Sequence, residues 1–310
     1  MAKIIFVALH LLFYVNARPF KSPDFVSQWF YLQSIPGRER IDVFHHLGEV
    51  PDLVQVQVRS ISSNNPGFIF PAIGIVPRDD DEIEPRSGIV YLYNEKMVTI
   101  SAQSKNNHYQ GRTIYTENSN YWEGPNNDDS FDCYVRVRAW KTSSMPVPDF
   151  QMKNIKIHAA CEKGTDCFYE KYHGLKEYPS MVIVRTKLLD VNSEFHGFIS
   201  DAVGSGMMVY ENNPIKRNGY VTYGFDFERF RIWTDSSEYG YVFYGEDGTR
   251  ITGNFRSGEL EILAWRSSSL TPTIKETIQL GVSPGVAFDK DKSIPDLSTT
   301  EDIIVNLWVK

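Results

Sequence analysis

Cysteine is scarce in this chain, with three in 310 residues, which excludes a disulfide-framework miniprotein and leaves stability to hydrophobic cores. Long apolar runs are missing too. Beyond the N-terminus no stretch approaches the roughly 18 residues that a membrane-spanning helix needs. There is no Asn-x-Ser/Thr sequon, so N-glycosylation is discounted. No P-loop, dinucleotide-binding fingerprint, Gly-x-Ser-x-Gly or His-Glu-x-x-His occurs, and no Ser, Cys or carboxylate pattern forms a triad with a histidine. The expectation is a protein that is not an enzyme. A basic excess is lacking as well: Lys and Arg number 32 against 39 Asp and Glu, net −7. That argues against nucleic-acid or anionic-membrane binding, which takes clustered cations. The acidity falls short of a chain that binds calcium by charge density alone. Sustained helical periodicity is also absent.

What is abundant is aromatic side chains, 14% of the chain, which fit the pleated surface of β-sheets. At the N-terminus Lys3 is the only early charge, and Ile4 to Val15 is apolar apart from His10. Val15-Asn16-Ala17 then precedes Arg18-Pro19. This is the layout of a secretory signal peptide over residues 1–17, too short to span a bilayer, and it implies a secreted, extracellular protein. The competing reading is a buried N-terminal strand or helix. Cys161 and Cys167 flank a Gly-containing turn and are expected to form a local disulfide. Cys133 is left over, either free and buried or paired to another chain, which would make the protein an oligomer. A metal site needs more ligands than this spacing offers.

The organising feature is an internal repeat. Gly67-Phe68-Ile69-Phe70-Pro71-Ala72-Ile73-Gly74 returns as Gly197-Phe198-Ile199-Ser200-Asp201-Ala202-Val203-Gly204, identical at five of eight positions. Other pairs follow in the same order. Pro23-Asp24-Phe25 matches Pro148-Asp149-Phe150, and Phe44 to Pro51 matches Tyr172 to Pro179. The period-two strand Leu53 to Val58 matches Met181 to Thr186. The hairpin of Val90 to Tyr93 and Met97 to Ser101 around Asn94-Glu95-Lys96 matches Tyr220 to Tyr223 with Phe230 to Thr234. Tyr134 to Trp140 and Leu260 to Trp265 each close on Ala-Trp, followed by Lys141 to Ser144 and Arg266 to Ser269. Short strands between Gly, Pro, Asn and Asp turns point to an all-β chain of two tandem antiparallel β-sandwich modules, 18–143 and 144–270. In the tail, 271–310, Thr273 to Leu280 and Ile303 to Val309 resemble a module's first and last strands. The tail either adds strands to the second module or is a remnant of a third copy. The first is the stronger reading, because an orphan strand pair is marginal. On this layout Phe68, Ile69, Ile73, Phe198, Ile199 and Val203 are core residues.

Candidate sites lie in the loops. His45 and His173 are equivalent, with His46 adjoining. They read as ligands repeated in both modules or, better, as polar braces at the corners before Pro51 and Pro179. Asp79, Asp80, Asp81 and Glu82, with Glu84, offer hard oxygens for calcium. They lack EF-hand spacing, and the second module has Tyr210 to Pro214 there, so a solvated charge run is the better reading. Asn126, Asn127, Asp128 and Asp129 in one module, and Glu246 and Asp247 before Gly248 in the other, are calcium or carbohydrate candidates that turn chemistry explains equally well. Tyr121-Trp122 and Tyr239, Tyr241 and Tyr244 lie near these loops in sequence. They are either a stacking platform for sugar rings or the ends of aromatic-rich strands.

The series of Gly67 to Phe70, an acidic loop, Gly88-Ile89-Val90-Tyr91-Leu92-Tyr93, and a strand closing on Val137-Arg138-Ala139-Trp140 resembles a repeated module of secreted and surface proteins of invertebrates such as corals and molluscs. Some of these belong to the organic matrix of calcified skeletons. The module is also similar in length and strand pattern to H-type lectins. The resemblance implies a structural or adhesive extracellular-matrix protein, with a carbohydrate-binding protein carrying one site per module as the alternative. Its partners would be matrix components or glycans. The second module lacks the acidic triplet, which weighs against a shared calcium site.

Overall fold

The computed structural model describes residues 21–75, 86–104, 111–116, 128–161, 167–204, 208–212, 215–245, 251, 253–270, 274–279 and 302–307. The chain is all-β. Among the described residues the only helical turns are short 3-10 turns at Thr142–Ser144 and Ser267–Ser269.

The first half supplies β1 (Phe25–Val26), β2 (Phe30–Gln33), β3 (Arg40–Phe44), β4 (Leu53–Arg59), β5 (Ile69–Pro71), β6 (Arg86–Ser87), β7 (Ile89–Tyr93), β8 (Met97–Ala102), β9 (Gly111–Arg112), β10 (Ile114–Tyr115), β11 (Asp129–Ser130) and β12 (Asp132–Trp140). The second supplies β13 (Phe150–His158), β14 (Phe168–Tyr172), β15 (Met181–Leu188), β16 (Ile199–Asp201), β17 (Met208–Asn212), β18 (Ile215–Gly219), β19 (Thr222–Phe225), β20 (Arg229–Trp233), β21 (Phe243–Gly245), β22 (Gly253–Phe255) and β23 (Ser257–Trp265). The tail contributes β24 (Ile274–Gln279) and β25 (Asp302–Leu307).

Alternation dictates these strands. In β4, Val54, Val56 and Val58 are buried while the residues between them are half-buried, and β12 buries Cys133, Val135, Val137 and Ala139 in the same rhythm. The repeat is conserved as pairing. The order β1-β12-β4-β5 corresponds to β13-β23-β15-β16, with Phe25 opposite Ala139 and Phe150 opposite Ala264. The order β3-β8-β7 corresponds to β14-β20-β19. The partner of β7 is thus Thr222–Phe225, two residues further on than the sequence alignment places it. The Ala-Trp endings are anchored identically. The indole N–H of Trp140 donates to the Lys21 carbonyl and that of Trp265 to the Pro146 carbonyl, both at 2.8 Å. Asp24 and Asp149 each accept the next backbone N–H, from Lys141 and Arg266, at 2.8 Å. Glu49 and Glu177 accept the one after, from Thr142 and Ser267.

The halves are not separate sheets. β16 pairs with β7, Ile199 opposite Tyr93, and fuses strands of both halves into one seven-stranded sheet, β13-β23-β15-β16-β7-β8-β3. β7 has no polar face. Ile89, Tyr91 and Tyr93 enter the core of the first half, and Val90 and Leu92 enter that of the second. A strand buried on both sides reads as a continuous apolar run, which Ile-Val-Tyr-Leu-Tyr is. A smaller cluster of Trp140, Met145, Leu263, Trp265 and Leu270 packs where the linker crosses.

The repeated octapeptide corrects the expectation of a buried strand in both copies. Phe198 and Ile199 are buried, at 7% and 8% exposure, and Val203 is half-buried. Their counterparts Phe68, Ile69 and Ile73 stand 63%, 47% and 55% exposed. The reason is position: β16 lies inside the seven-stranded sheet, while β5 ends its own. In the tail, β24 and β25 pair with each other as a two-stranded sheet of their own, Ile274 opposite Leu307. This reproduces the first-to-last pairing of each half; among the described residues neither strand is paired with the second half's sheet. Among the described residues no helix is long and apolar enough to cross a membrane.

Candidate functional site

The densest polar chemistry lies where the halves meet. Arg185, on β15, is buried and donates through Nη2 to Asp52 Oδ1 (2.9 Å), through Nε to Glu261 Oε2 (2.7 Å) and through Nη1 to the Pro51 carbonyl (2.6 Å). Asp52 and Pro51 belong to the first half, Arg185 and Glu261 to the second. Burial pushes the Glu261 carboxyl upward, but the Arg185 guanidinium and Lys153, whose Nζ lies 2.8 Å away, outweigh it and hold the group below its ordinary value. Close by, the hydroxyls of Tyr91 (2.9 Å) and Tyr93 (2.7 Å) donate to the carboxylate of Asp201, at the end of β16. Asp201 is half-buried as a residue, yet its carboxyl lies deep. Burial raises its pKa, against the two tyrosine hydrogen bonds and Arg185. Burial also raises both tyrosines well above the ordinary range. A cavity of about 90 Å³ lined by Lys153, Asn154, Arg185, Lys187 and Glu261 opens beside this cluster. It sits over a bulge in β13 where Asn154 takes a left-handed conformation (φ 58°).

A second surface is the outward face of β14-β20-β19. It presents Phe168, Glu170 and Tyr172 beside Trp233, Arg231 and Arg229. Phe168 and Trp233 pack with ring centroids 5.8 Å apart, and the Arg229 guanidinium lies over Tyr172 at 5.6 Å. Arg229 also donates to Asp226, and Arg231 to Glu170. At the β19 side a depression of about 200 Å³ is lined by Gly224, Phe225, Asp226, Arg229, Arg231 and Trp233. The first half carries its own aromatic and cationic face, with the guanidinium groups of Arg59 and Arg136 each 4.5 Å from the centre of the Trp29 ring.

The residues singled out from the sequence do not converge on these places. Asp128 is fully buried and accepts hydrogen bonds from the hydroxyls of Ser60 (2.6 Å), Ser62 (3.0 Å) and Ser130, so its carboxylate is an internal acceptor and is not presented to a ligand. Asp129 pairs with Arg112 across β9 and β11. Tyr244 is buried in the second core with Tyr241, centroids 5.4 Å apart, so neither ring forms a platform. Tyr121, Trp122, Asn126, Glu246 and Asp247, and the acidic run Asp79, Asp80, Asp81 and Glu82, lie outside the described residues. Among the described residues no three His, Cys, Asp or Glu side chains gather closely enough to hold a metal ion. Cys161 and Cys167 are bonded, Cα atoms 6.0 Å apart. Cys133 is free and wholly buried, the first of the two states expected for it, and burial pushes its thiol up to about 12.

The histidines act as braces. The backbone N–H of Leu47 donates to His45 Nδ1 (3.2 Å), which leaves Nε2–H to donate to the Asn94 carbonyl (2.9 Å). His173 repeats this with the Leu175 N–H (3.1 Å) and the Asp226 carbonyl (3.1 Å). With both ring nitrogens engaged, neither imidazole is poised for proton transfer. Arg185, Asp201 and Trp233 escaped the sequence reading. Their signal was in the differences between copies, since Arg185 replaces Gln57 and Asp201 replaces Pro71. Compared with known proteins, the chain matches no protein-family model and no curated protein.

Proposed function

We propose that the protein is a secreted structural or adhesive component of an extracellular matrix, of the kind that organises calcified skeletons, and not an enzyme. One observation carries the reading. The polar groups best suited to chemistry, His45, His173, Asp128 and Arg185, all brace the fold. What faces outward is broad sheet surface bearing aromatic rings and guanidinium groups. A fold that puts its reactive groups into rigidity and its area into flat faces suits load-bearing contact. Retention of the purified protein on matrix or carbonate mineral, without a glycan hit, is the expected result. Sequencing the mature N-terminus checks the compartment: a start near Arg18 is expected, and a start at Met1 overturns secretion.

The depression beside Trp233 favours a second reading, a carbohydrate-binding protein. An indole next to Asp226, Arg229 and Arg231 supplies a stacking face with polar neighbours. A glycan array with calcium titration separates the two. Saturable, sugar-competable binding that Trp233→Ala abolishes would establish the lectin and remove the purely structural reading.

A further inference from the structure

The contact that joins the two halves has two sides, and a second copy of each side stands uncovered elsewhere on the molecule. Inside the chain, β16 lies against β7 with Ile199 opposite Tyr93. By the repeat, β5 is the counterpart of β16: Ile69 faces Arg59 as Ile199 faces Lys187, and Pro71 faces Gln57 as Asp201 faces Arg185. β19 is the counterpart of β7, since Phe225 faces Phe230 as Tyr93 faces Val98. Both β5 and β19 end their sheets. Ile199 and Tyr93 are 8% and 1% exposed, whereas Ile69 and Phe225 are 47% and 42% exposed. Apolar side chains in identical strand positions are covered at one joint and bare at the other.

We propose that β5 of one copy docks on β19 of a second copy of this chain, Ile69 against Phe225, so that copies join head to tail as the first half joins the second. The two free edges have changed in step. Where Asp201 accepts from Tyr91 and Tyr93, Pro71 replaces the carboxylate and Tyr223 and Phe225 replace the tyrosines, so ring meets apolar ring. Where Arg185 reaches Asp52, Gln57 replaces the cation and Ser180 the anion, while Arg136, which donates to Gln57 Oε1 at 2.7 Å, stands in the place of Glu261. The backbone bonds of Asp52 and Ser180 to Trp140 and Trp265 fix that equivalence. Leu92 and Phe198 share the second core, and Gly224 stands in the place of Leu92. The depression of about 200 Å³ beside Gly224 offers room for Phe68, the counterpart of Phe198, which is 63% exposed.

Neither edge is an open template. Pro71 has no N–H to give a long ladder, and Val203 already bridges Thr222 at the other end of β19. The internal joint is itself one residue pair long, however, and the matching places, Ile69 and Phe225, remain free of these blocks. Because the two surfaces differ, the contact is heterologous and leaves the pair with one free edge of each kind, which builds filaments or rings. This goes beyond the function proposed above, since a matrix protein or a lectin can work without self-association.

Sedimentation velocity on the full chain tests it, with Ile69→Lys and Phe225→Lys as variants at exposed positions. The wild type should show concentration-dependent species larger than a dimer. Each variant alone should associate at least roughly tenfold more weakly. An equimolar mixture of the two should form a one-to-one dimer and stop there, because only one intact pair of edges remains; that dimer also shows both variants to be folded. A wild type that stays monomeric, a variant that still polymerises, or a mixture that gives no dimer or grows past it overturns the proposal. Loss of assembly in Phe225→Lys alone would assign β19 to another segment, such as residues 271–310, and overturn it equally.

Discussion

β7 and β19 are the same strand of a repeat in opposite circumstances. β7 is buried along its whole length between two cores, whereas β19 ends a three-stranded sheet with Phe225 in solvent. β16 and β5 differ in the same way. The four strands teach that a repeat reproduces pairing faithfully while leaving burial to whatever lies beyond the edge. The polar residues follow burial: the covered joint carries the Arg185, Asp52 and Glu261 cluster, and the uncovered edges carry Gln57 and Ser180.

The largest test of this contrast is at Arg185. Arg185→Ala leaves Asp52 without its cation and Glu261 with Lys153 alone, and should destabilise by about 3–5 kcal/mol, whereas Gln57→Ala should change stability by less than about 1 kcal/mol. Equal effects in urea unfolding would show that the joint is not special. Next come the paired isoleucines. Ile199→Ala should destabilise by about 2–4 kcal/mol, and Ile69→Ala by no more than about 0.5 kcal/mol at monomer concentrations. A large loss at Ile69 in dilute protein would mean that β5 is covered within the chain.

Tyr93→Phe removes one donor from Asp201 and should destabilise by about 1–2 kcal/mol. Burial raises the Asp201 carboxyl above its ordinary 3.8, so the folded chain holds that proton more readily than the unfolded one. The contribution is full below 3.8 and is lost as pH rises through the raised folded value. Asp201→Asn should flatten this slope in stability measured between about pH 3 and 7, and an unchanged slope would assign it to other groups. A smaller effect than at Tyr93 is expected at His45, where substitution by Gln should destabilise by about 1 kcal/mol. Burial lowers this imidazole below 6.5, so its contribution is present above 6.5 and lost as pH falls through the lowered value. Melting curves of the variant should lack that acid-side loss.

Much of the fold was legible because its signals are local. Val54, Val56 and Val58 alternate with polar residues and became β4, and the Ala-Trp endings with their basic-Ser linkers became matching anchors. The histidine brace was legible from its place before Pro51 and Pro179. Asp128 was not, since a carboxylate in an Asn-Asp run reads as a solvated turn until Ser60 and Ser62, far away in sequence, close over it. Nor was the arginine cluster, whose partners lie on different halves of the chain.

The sequence by itself determined that the chain is β-structured, that it repeats, and, apart from a two-residue shift at β19, which strand of one half answers to which of the other. These follow from side-chain periodicity and turn residues, which act over a few positions. Only the tertiary structure decided that β7 is shared by both halves, that Phe198 is core while Phe68 is surface, and that Arg185 is locked between two carboxylates. Identical residues in identical strands carry no record of what packs against them. Burial is a property of the neighbour, and the neighbour comes from the other half of the molecule.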